Sequence, residues 1–315
     1  MTDSPMLGVA DPSAPARLAV GLISAGRVGT ALAQALESVG HVVGAVLARS
    51  DESRERAAQR LPDSEVFDDP ADVAARSELL ILAVPDDALP AVIAELAASG
   101  AVRPGTIVAH VAGAHGAAIL APLTERGALG LAIHPAMTFV GGPEDTERLQ
   151  SACFAVTATD EVGDTVGASL VYEIGGQPVR IAEADRTLYH AALAHGANHL
   201  VALISDAVTV LRSVIDRADV DGTGAPLRSA PEMLAPLVTA ALTNVLEQGP
   251  SALTGPVARG DADAVAAHLG ALRDWTRTAP AADATIVDSY LAQARRAAVY
   301  AAPSEALDRV LEEAS

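Results

Sequence analysis

The chain has 315 residues, of which 50% are hydrophobic and only 3% aromatic, and its formal net charge is −19. Its length exceeds the usual size of a single hydrophobic core and predicts two domains. The excess of acidic over basic residues excludes a nucleic-acid partner. The single cysteine excludes an internal disulfide and a cysteine-based zinc site. We expect a cytoplasmic protein.

The first residues of the chain predict no structured element. Residues 1–16 lack a basic segment followed by a long apolar run, so we expect a mobile tail there rather than a signal peptide. No later segment offers about 18 uninterrupted apolar residues without charges or turn signals, so no membrane span and no membrane partner are expected.

The residues LAVGLISAGRVG, at 18–29, join an apolar strand, a glycine-spaced turn and the start of a helix. This layout is typical of a dinucleotide-binding βα unit, whose helix N-terminus presents free N–H groups to a pyrophosphate. The usual first glycine is a serine here, which fits the turn if its φ stays negative. A tight turn without ligand is the alternative. The predicted cofactor-binding residues are Ser24, Ala25, Gly26, Arg27, Val28 and Gly29.

The next strand, HVVGAVLARS, ends without the acidic residue that would bind the two ribose hydroxyls of NAD. Arg49 and Ser50 stand there instead, followed by Arg54, and guanidinium and hydroxyl donors suit the 2′-phosphate of NADP. These residues therefore predict NADP as the cofactor. The alternative is that the arginines are ordinary solvated residues at a helix start.

Strands continue to alternate with helices, which indicates a parallel sheet of the Rossmann type over residues 17–182. A weak strand is expected near residues 65–67 and a helix from Pro70 onward. The further predicted strands are ELLILAVP, TIVAHVAG, LGLAIHP, ACFAVTA and QPVRIA. Cys153 lies in the fourth of these and is predicted to be a buried, inert thiol.

After Ala184 the pattern changes to helices alone, beginning with an apolar-rich helix of about thirty residues. We therefore predict an α/β fold: a Rossmann-type domain followed by a smaller all-helical domain over residues 183–315. A cleft beside the C-terminal ends of the strands is where a ligand is expected to bind.

Three groups of residues are candidates to line that cleft. Val84 and Pro85 end the strand expected to border the nicotinamide, and Asp86 or Asp87 is predicted to cap the following helix.

His110 and His134 end two neighbouring apolar strands, and Gly113 shapes the loop after the first of them. Because polar groups at such strand ends face the cleft, we predict that all three contact the substrate, with buried core histidines as the alternative.

The third group lies on the long helix. His190 and Asn198 are about 80° apart around the helix axis, so both can reach one substrate. His195 and His199 have the i, i+4 spacing of a metal-binding pair, but no third ligand accompanies them, and we predict that they pack rather than bind metal.

The motifs GLISAGRVGTAL, AVPDDAL, HVAGAH, IHPAMTF, YHAALAHGANHLVAL and LTGPVARGD together resemble a family of two-domain Rossmann-like reductases. The family is related to ketopantoate reductase, pyrroline-5-carboxylate reductase and the β-hydroxyacid dehydrogenases. The chain looks closest to a bacterial branch whose helical C-terminal domain has long lacked an assigned function.

The resemblance implies where this chain departs from its relatives. His190 occupies the place of the lysine found in ketopantoate reductases, Ala194 that of a first asparagine, and Asn198 that of a second. His190 is then the predicted proton donor, because an imidazole can hold a proton near neutral pH.

The function that the resemblance implies is NADPH-dependent reduction of a small 2-oxo acid by hydride transfer, as in ketopantoate reductase. His134, Thr138 and Arg259 would hold the substrate carboxylate, and the protein would form a homodimer. The alternatives are imine reduction of the pyrroline-carboxylate type and a sensor or scaffold protein that binds NADP without turnover.

Overall fold

The computed structural model describes residues 17–219 and 229–314. The predicted tail at residues 1–16 lies outside them. The described residues form two compact units that divide between Ala194 and His195, later than the boundary expected after residue 182.

The first unit is built around a single sheet whose strands follow the predicted runs. Within the described residues its strands are β1 Ala19–Ile23, β2 Val42–Leu47, β3 Glu65–Phe67, β4 Leu79–Leu82, β5 Ile107–His110, β6 Leu129–Pro135, β7 Cys153–Ala158 and β8 Gln177–Arg180. Their order across the sheet is β3-β2-β1-β4-β5-β6-β7-β8. The predicted Rossmann-type α/β architecture is confirmed.

Helices connect the strands and then take over the chain. The α-helices of the described residues are α1 Arg27–Ser38, α2 Asp51–Arg60, α3 Pro70–Ala75, α4 Leu89–Ser99, α5 Ala121–Thr124, α6 Glu144–Leu149, α7 Glu161–Glu173, α8 Arg186–Asp219, α9 Ala230–Gln248, α10 Ala262–Thr276, α11 Ile286–Ala298 and α12 Glu305–Glu313. Short 3-10 helices lie at Ala117–Leu120, Glu183–Asp185, Gly249–Ala252 and Ala281–Asp283.

One strand departs from the predicted parallel arrangement. β7 pairs with β6 in the antiparallel direction, whereas the other neighbouring strands are parallel. The cause is the connection between them, which stays at the edge of the sheet where β6 ends. There the Ala136 amide donates a hydrogen bond to the Cys153 carbonyl at 2.8 Å, so β7 starts beside the end of β6.

The central strands are buried on both faces, which explains their unbroken apolar sequences. In β4, Leu79 and Ile81 join the core beneath α1 and α7, whereas Leu80 and Leu82 join the core beneath α3 and α4. Because both faces of these strands are packed, the positions at which β4 and β5 end in the sheet are well defined. The residues that follow the two strands are therefore held at defined positions as well.

The second unit has its own small core. It is formed by α10, α11 and α12, with Val265, Leu269, Leu291 and Leu307 nearly inaccessible to solvent. The long helix predicted after Ala184 is confirmed as α8, which has 34 residues.

One helix bears on the expectation that no segment spans a membrane, and that expectation stays a prediction. The segment Glu183–Ile215 is long and apolar enough by length and composition, with a mean hydropathy of 1.3 over its best window. The prediction missed it because it looked for an uninterrupted apolar run, whereas the average over a window tolerates scattered polar residues. Core helices of soluble proteins pass the same test.

Candidate functional site

The turn after β1 has an unusual backbone. Ser24 has a φ of +81° and is the only residue other than glycine with a positive φ in the described chain. The expectation that its φ stays negative is therefore wrong: the turn needs the left-handed conformation that the usual glycine supplies. For a residue with a Cβ this conformation costs roughly 1–2 kcal/mol.

The two glycines of this turn leave space for different reasons. A Cβ on Gly26 would meet no neighbouring atom closer than 3.7 Å, so this position can take a side chain or a ligand atom without a clash. A Cβ on Gly29 would lie 2.6 Å from the Ser24 carbonyl oxygen, so this glycine lets α1 pack tightly on β1.

Gly26 is also the N-cap of α1, and no side chain caps its amides. The first turn of α1 contains no acidic residue. Free N–H groups, the positive end of the helix dipole and the space above Gly26 together fit the pyrophosphate of a dinucleotide.

The residues predicted to bind a 2′-phosphate lie at the turn between β2 and α2. Ser50 caps α2 by accepting a hydrogen bond from the Ser53 amide at 3.1 Å. Arg49 forms an ion pair with Glu95 at 3.4 Å in which both side chains are about half exposed. Arg54 forms an ion pair with Asp68. Arg49 has the longer and weaker contact, so it is the cation most easily released to a ligand.

The segment after β4 corrects a second prediction. The N-cap of α4 is Ala88, without a side-chain cap, so neither Asp86 nor Asp87 caps that helix. The Pro85 carbonyl instead accepts the amides of Ala88 and Leu89, at 3.0 and 3.1 Å, which closes a turn ahead of the helix. Val84 and Pro85 lead into this turn as expected.

His110 at the end of β5 is fully buried. Its Nδ1 accepts the Ala112 amide at 3.2 Å, so its Nε2 carries the hydrogen and donates to the Gly116 carbonyl at 2.9 Å. Burial lowers the pKa of His110 to about 4. Both ring nitrogens therefore hold the loop 111–116 in place, and the role of His110 in substrate binding stays a prediction.

His134, near the end of β6, faces the start of α8. Its Nδ1 lies 2.8 Å from the Tyr189 hydroxyl, and its ring centroid lies 6.0 Å from that of His190. A Cβ on Gly113 would lie 3.0 Å from Nε2 of both His134 and His190. The structure thus brings His134 and Gly113, which belong to one predicted group, beside His190, which belongs to another.

Arg186 lies beneath this group and is 1% exposed. Its Nε donates to the His115 carbonyl at 2.8 Å, and its terminal nitrogens donate to the carbonyls of Ala112 and Ala155, each at 3.4 Å. The guanidinium carbon lies 5.8 Å from the centroid of the Tyr189 ring. A buried cation therefore holds the loop after β5 against the start of α8.

Charged groups around His134 shift its pKa in opposite directions. Burial is the main cause that lowers its pKa to about 4, and Arg186, His190 and His110 act in the same direction. Asp86 opposes them for both His134 and His110. Asp86 is thus the acidic residue that faces this cluster from the end of β4.

Sequence reasoning missed Arg186 and Tyr189. Both precede His190 on α8, by four residues and one residue, and residues at i and i+4 share a helix face. The signal in the sequence that could have identified Arg186 was its polar side chain four positions before the candidate catalytic residue His190.

Other predicted residues fall elsewhere. Thr138 is exposed on the connection after β6. Asn198 and Arg259 belong to the second unit, and their roles stay predictions.

Three expectations about inert side chains need comment. Cys153 is exposed rather than buried, because it is the first residue of β7. His195 and His199 are exposed and contact each other through Nδ1 atoms 2.8 Å apart, so the prediction that they pack is wrong for this chain by itself. Within the described residues, no group of three or more His, Cys, Asp or Glu could hold a metal ion.

Family models match most of the chain in two parts. Residues 6–135 match a Rossmann-like domain, and residues 152–297 match a domain of unknown function, DUF2520. The chain is a Rossmann-like domain followed by a DUF2520 domain. The predicted pairing of a Rossmann-type domain with a helical domain of unassigned function is thereby confirmed. No curated protein matches the sequence.

Solved structures share this two-domain fold. A proposed NADP oxidoreductase from Bacteroides fragilis is 20% identical, with a TM-score of 0.70 over 90% of this chain and 98% of that one. An imine reductase from Myxococcus stipitatus in complex with NADP+ is 17% identical, with a TM-score of 0.57 over 93% and 99%. Plasmodium falciparum pyrroline carboxylate reductase with NADP bound is 12% identical, with a TM-score of 0.50 over 90% and 98%. At these identities the likeness establishes the fold.

Proposed function

We propose that the protein is an NADPH-dependent reductase of a small 2-oxo acid. The observation that carries this proposal is the convergence of His134 and His190 at Gly113, at the edge of the sheet where the glycine turn of β1 also lies. In open α/β sheets this edge is where ligands bind.

The residues present fit a dinucleotide. The space above Gly26 and the uncapped amides of α1 would take the pyrophosphate, and Arg49 and Ser50 the 2′-phosphate. When bound, NADPH would supply the hydride for the carbonyl carbon of the substrate. The NADP named for the similar structures supports this choice of cofactor.

The protein side of the reaction is proton delivery and orientation. As the hydride bonds to the carbonyl carbon, the π electrons of the C=O bond move to the oxygen. The His190 imidazolium gives up a proton to that oxygen. The positive charge of Arg186 favours an anionic substrate such as a 2-oxo acid. Thr138 is a proposed ligand of the carboxylate.

Imine reduction is the second candidate. It is favoured by the shared fold with an imine reductase and a pyrroline carboxylate reductase. In that case His190 would protonate the substrate nitrogen, and a carboxylate ligand would be needed only for a substrate that carries a carboxylate, as a pyrroline carboxylate does. Binding of NADP without turnover is the non-enzymatic alternative.

Purified protein with NADPH and a panel of 2-oxo acids and cyclic imines, followed by the absorbance of the reduced nicotinamide, separates the three. We expect turnover with a 2-oxo acid, and turnover with cyclic imines alone would favour the second candidate. If NADPH binds but no substrate is reduced, the protein is a binding protein.

His190→Ala tests the proton donor. Turnover should fall by roughly 10²-fold or more with little change in NADPH affinity. His195→Ala is the control, because His195 points about 140° away around the helix. Unchanged turnover in the His190 variant would remove it from the mechanism.

A further inference from the structure

The hydrogen bond between His134 and Tyr189 couples the orientation of the Tyr189 hydroxyl to the tautomer of His134. The Tyr189 hydroxyl lies 2.8 Å from Nδ1 of His134, and this is its one hydrogen-bond partner in the part of the chain that the structure describes. Burial raises the pKa of Tyr189, so the phenol keeps its hydrogen at neutral pH. A phenol hydroxyl can donate or accept, and when it donates to Nδ1 the hydrogen of a neutral His134 ring lies on Nε2.

His134 is neutral at physiological pH because its surroundings oppose a positive charge. Its pKa falls to about 4, mainly through burial and next through the Arg186 guanidinium, with His190 and His110 adding to the effect. Asp86 is the one acidic group that opposes them. A neutral His134 ring of this tautomer presents its Nε2–H group as a hydrogen-bond donor in a fixed position and does not transfer that hydrogen to the substrate.

The donor of His134 and the nitrogen of His190 converge. Nε2 of each ring lies 3.0 Å from the position that a Cβ of Gly113 would take. The two nitrogens are therefore at most about 6 Å apart, a separation that one oxygen or nitrogen atom lying clear of the Gly113 backbone can bridge with two hydrogen bonds. Any larger residue at position 113 would push between the rings, since its Cβ would lie 2.5 Å from Cδ2 of His190.

We infer that His134 donates its Nε2 hydrogen to the reacting oxygen or nitrogen of the substrate, beside His190, and that Tyr189 is the positioning residue that fixes this tautomer. This inference rests on the proposed function and replaces the carboxylate-binding role expected for His134. The two histidines divide the work: His190 supplies the proton, and His134 stabilises the charge that develops on the same atom before the proton arrives. Such preorganised donors act as an oxyanion hole does.

The tautomer is measured directly by ¹⁵N NMR of the histidine rings, without any turnover. In the wild type, we expect His134 to show a protonated Nε2 and an unprotonated Nδ1 at pH 7. In Tyr189→Phe, both tautomers should be populated. A wild type with its hydrogen on Nδ1, or a variant that keeps the wild-type tautomer, would overturn the inference.

Kinetics test the consequence for catalysis. Tyr189→Phe should lower kcat by about tenfold while the Kd of NADPH stays unchanged, because one orienting hydrogen bond is lost. The matched control is Tyr290→Phe, which removes the hydroxyl of another tyrosine–histidine pair, 2.9 Å from Nδ1 of His268 in the second unit. The control should keep wild-type kcat. An equal loss of kcat in both variants would show a merely structural effect and overturn the inference.

Substitutions of His134 itself distinguish the contribution of its hydrogen-bond donor from that of the shape of its ring. His134→Phe keeps a ring but has no donor, and should lose about 10²–10³-fold in kcat. His134→Gln places an amide N–H near the Nε2 position and should recover part of that loss. Equal activity of the two variants would contradict the donor role. If the wild type reduces no substrate, the proposed function fails, and the NMR result alone decides whether Tyr189 sets the tautomer.

Discussion

Gly26 and Gly29 lack side chains for two distinct reasons, which mutation can separate. A Cβ at Gly26 makes only ordinary van der Waals contacts, whereas a Cβ at Gly29 would clash with the Ser24 carbonyl. Gly26→Val should therefore leave the free energy of unfolding nearly unchanged but abolish the rise in Tm on adding NADPH, because its side chain fills the space for the pyrophosphate.

Gly29→Val is the matched control for that experiment. Its side chain would separate α1 from β1, so we expect the protein without ligand to lose stability, by about 1–3 kcal/mol, the usual cost of overpacking. Thermal unfolding with and without NADPH measures both effects. If Gly26→Val still gains as much Tm as the wild type, the phosphate site lies elsewhere.

His110 makes stability depend on pH. Burial lowers its pKa in the folded state to about 4, below the ordinary histidine value of 6.5, so its contribution to stability is fully present above about pH 6.5 and is lost as the pH falls toward 4. Between pH 7 and pH 5 this amounts to about 2 kcal/mol of unfolding free energy.

His110→Gln tests that assignment, because a glutamine amide can still donate to the Gly116 carbonyl but does not titrate. Urea unfolding at both pH values should show a decrease in stability that is smaller in the variant by about 2 kcal/mol. An identical decrease in both proteins would mean that His110 is protonated in the folded state.

At the scale of secondary-structure elements, the turn between β2 and α2 sets the preference between cofactors. No acidic residue ends β2, and Arg49 is held only by a half-exposed ion pair. We expect the wild type to bind NADPH about tenfold or more tightly than NADH, and Arg49→Asp to reverse this preference, since a carboxylate repels the 2′-phosphate and accepts the ribose hydroxyls.

Titration of each protein with both cofactors measures that preference. Arg76→Asp serves as a control, because Arg76 precedes β4 and so lies at the opposite edge of the sheet from the predicted cofactor site. Equal affinity of the wild type for NADPH and NADH would remove the phosphate-binding role from this turn.

At the scale of the whole molecule, α9 carries an apolar surface that the chain itself leaves exposed. Met233, Leu237, Val245 and Leu246 are each about half exposed or more. Met233 and Leu237 lie about 40° apart on one side of the helix and Leu246 about 180° from Leu237, so apolar side chains are exposed on two sides of α9, and such exposure marks interaction surfaces. We propose that a second copy of the chain covers them, in agreement with the homodimer that the family resemblance implies.

Light scattering coupled to size exclusion measures the assembly. The wild type should have twice the mass of one chain, and the double variant L237E/L246E should be monomeric, because burying two unpaired charges opposes association. Val162→Glu, at an equally exposed apolar site on α7, should remain dimeric. A monomeric wild type would contradict the proposal.

The local pattern of the sequence determined the elements of this protein. Apolar runs bounded by turn residues identified the strands, and the glycine spacing at 26 and 29 identified the βα turn, because burial and backbone freedom are properties of each residue and its nearest neighbours. His110, His134 and His190 were also found in this way, as polar residues at the ends of apolar elements.

Only the tertiary structure decided how those residues meet. His134 and Tyr189 are 55 residues apart in the sequence, and their hydrogen bond depends on where β6 ends beside α8. The direction of β7, the exposure of Cys153 and the left-handed Ser24 follow likewise from the path of the chain. Periodicity records which side of an element is buried, but it holds no information about which distant element covers that side.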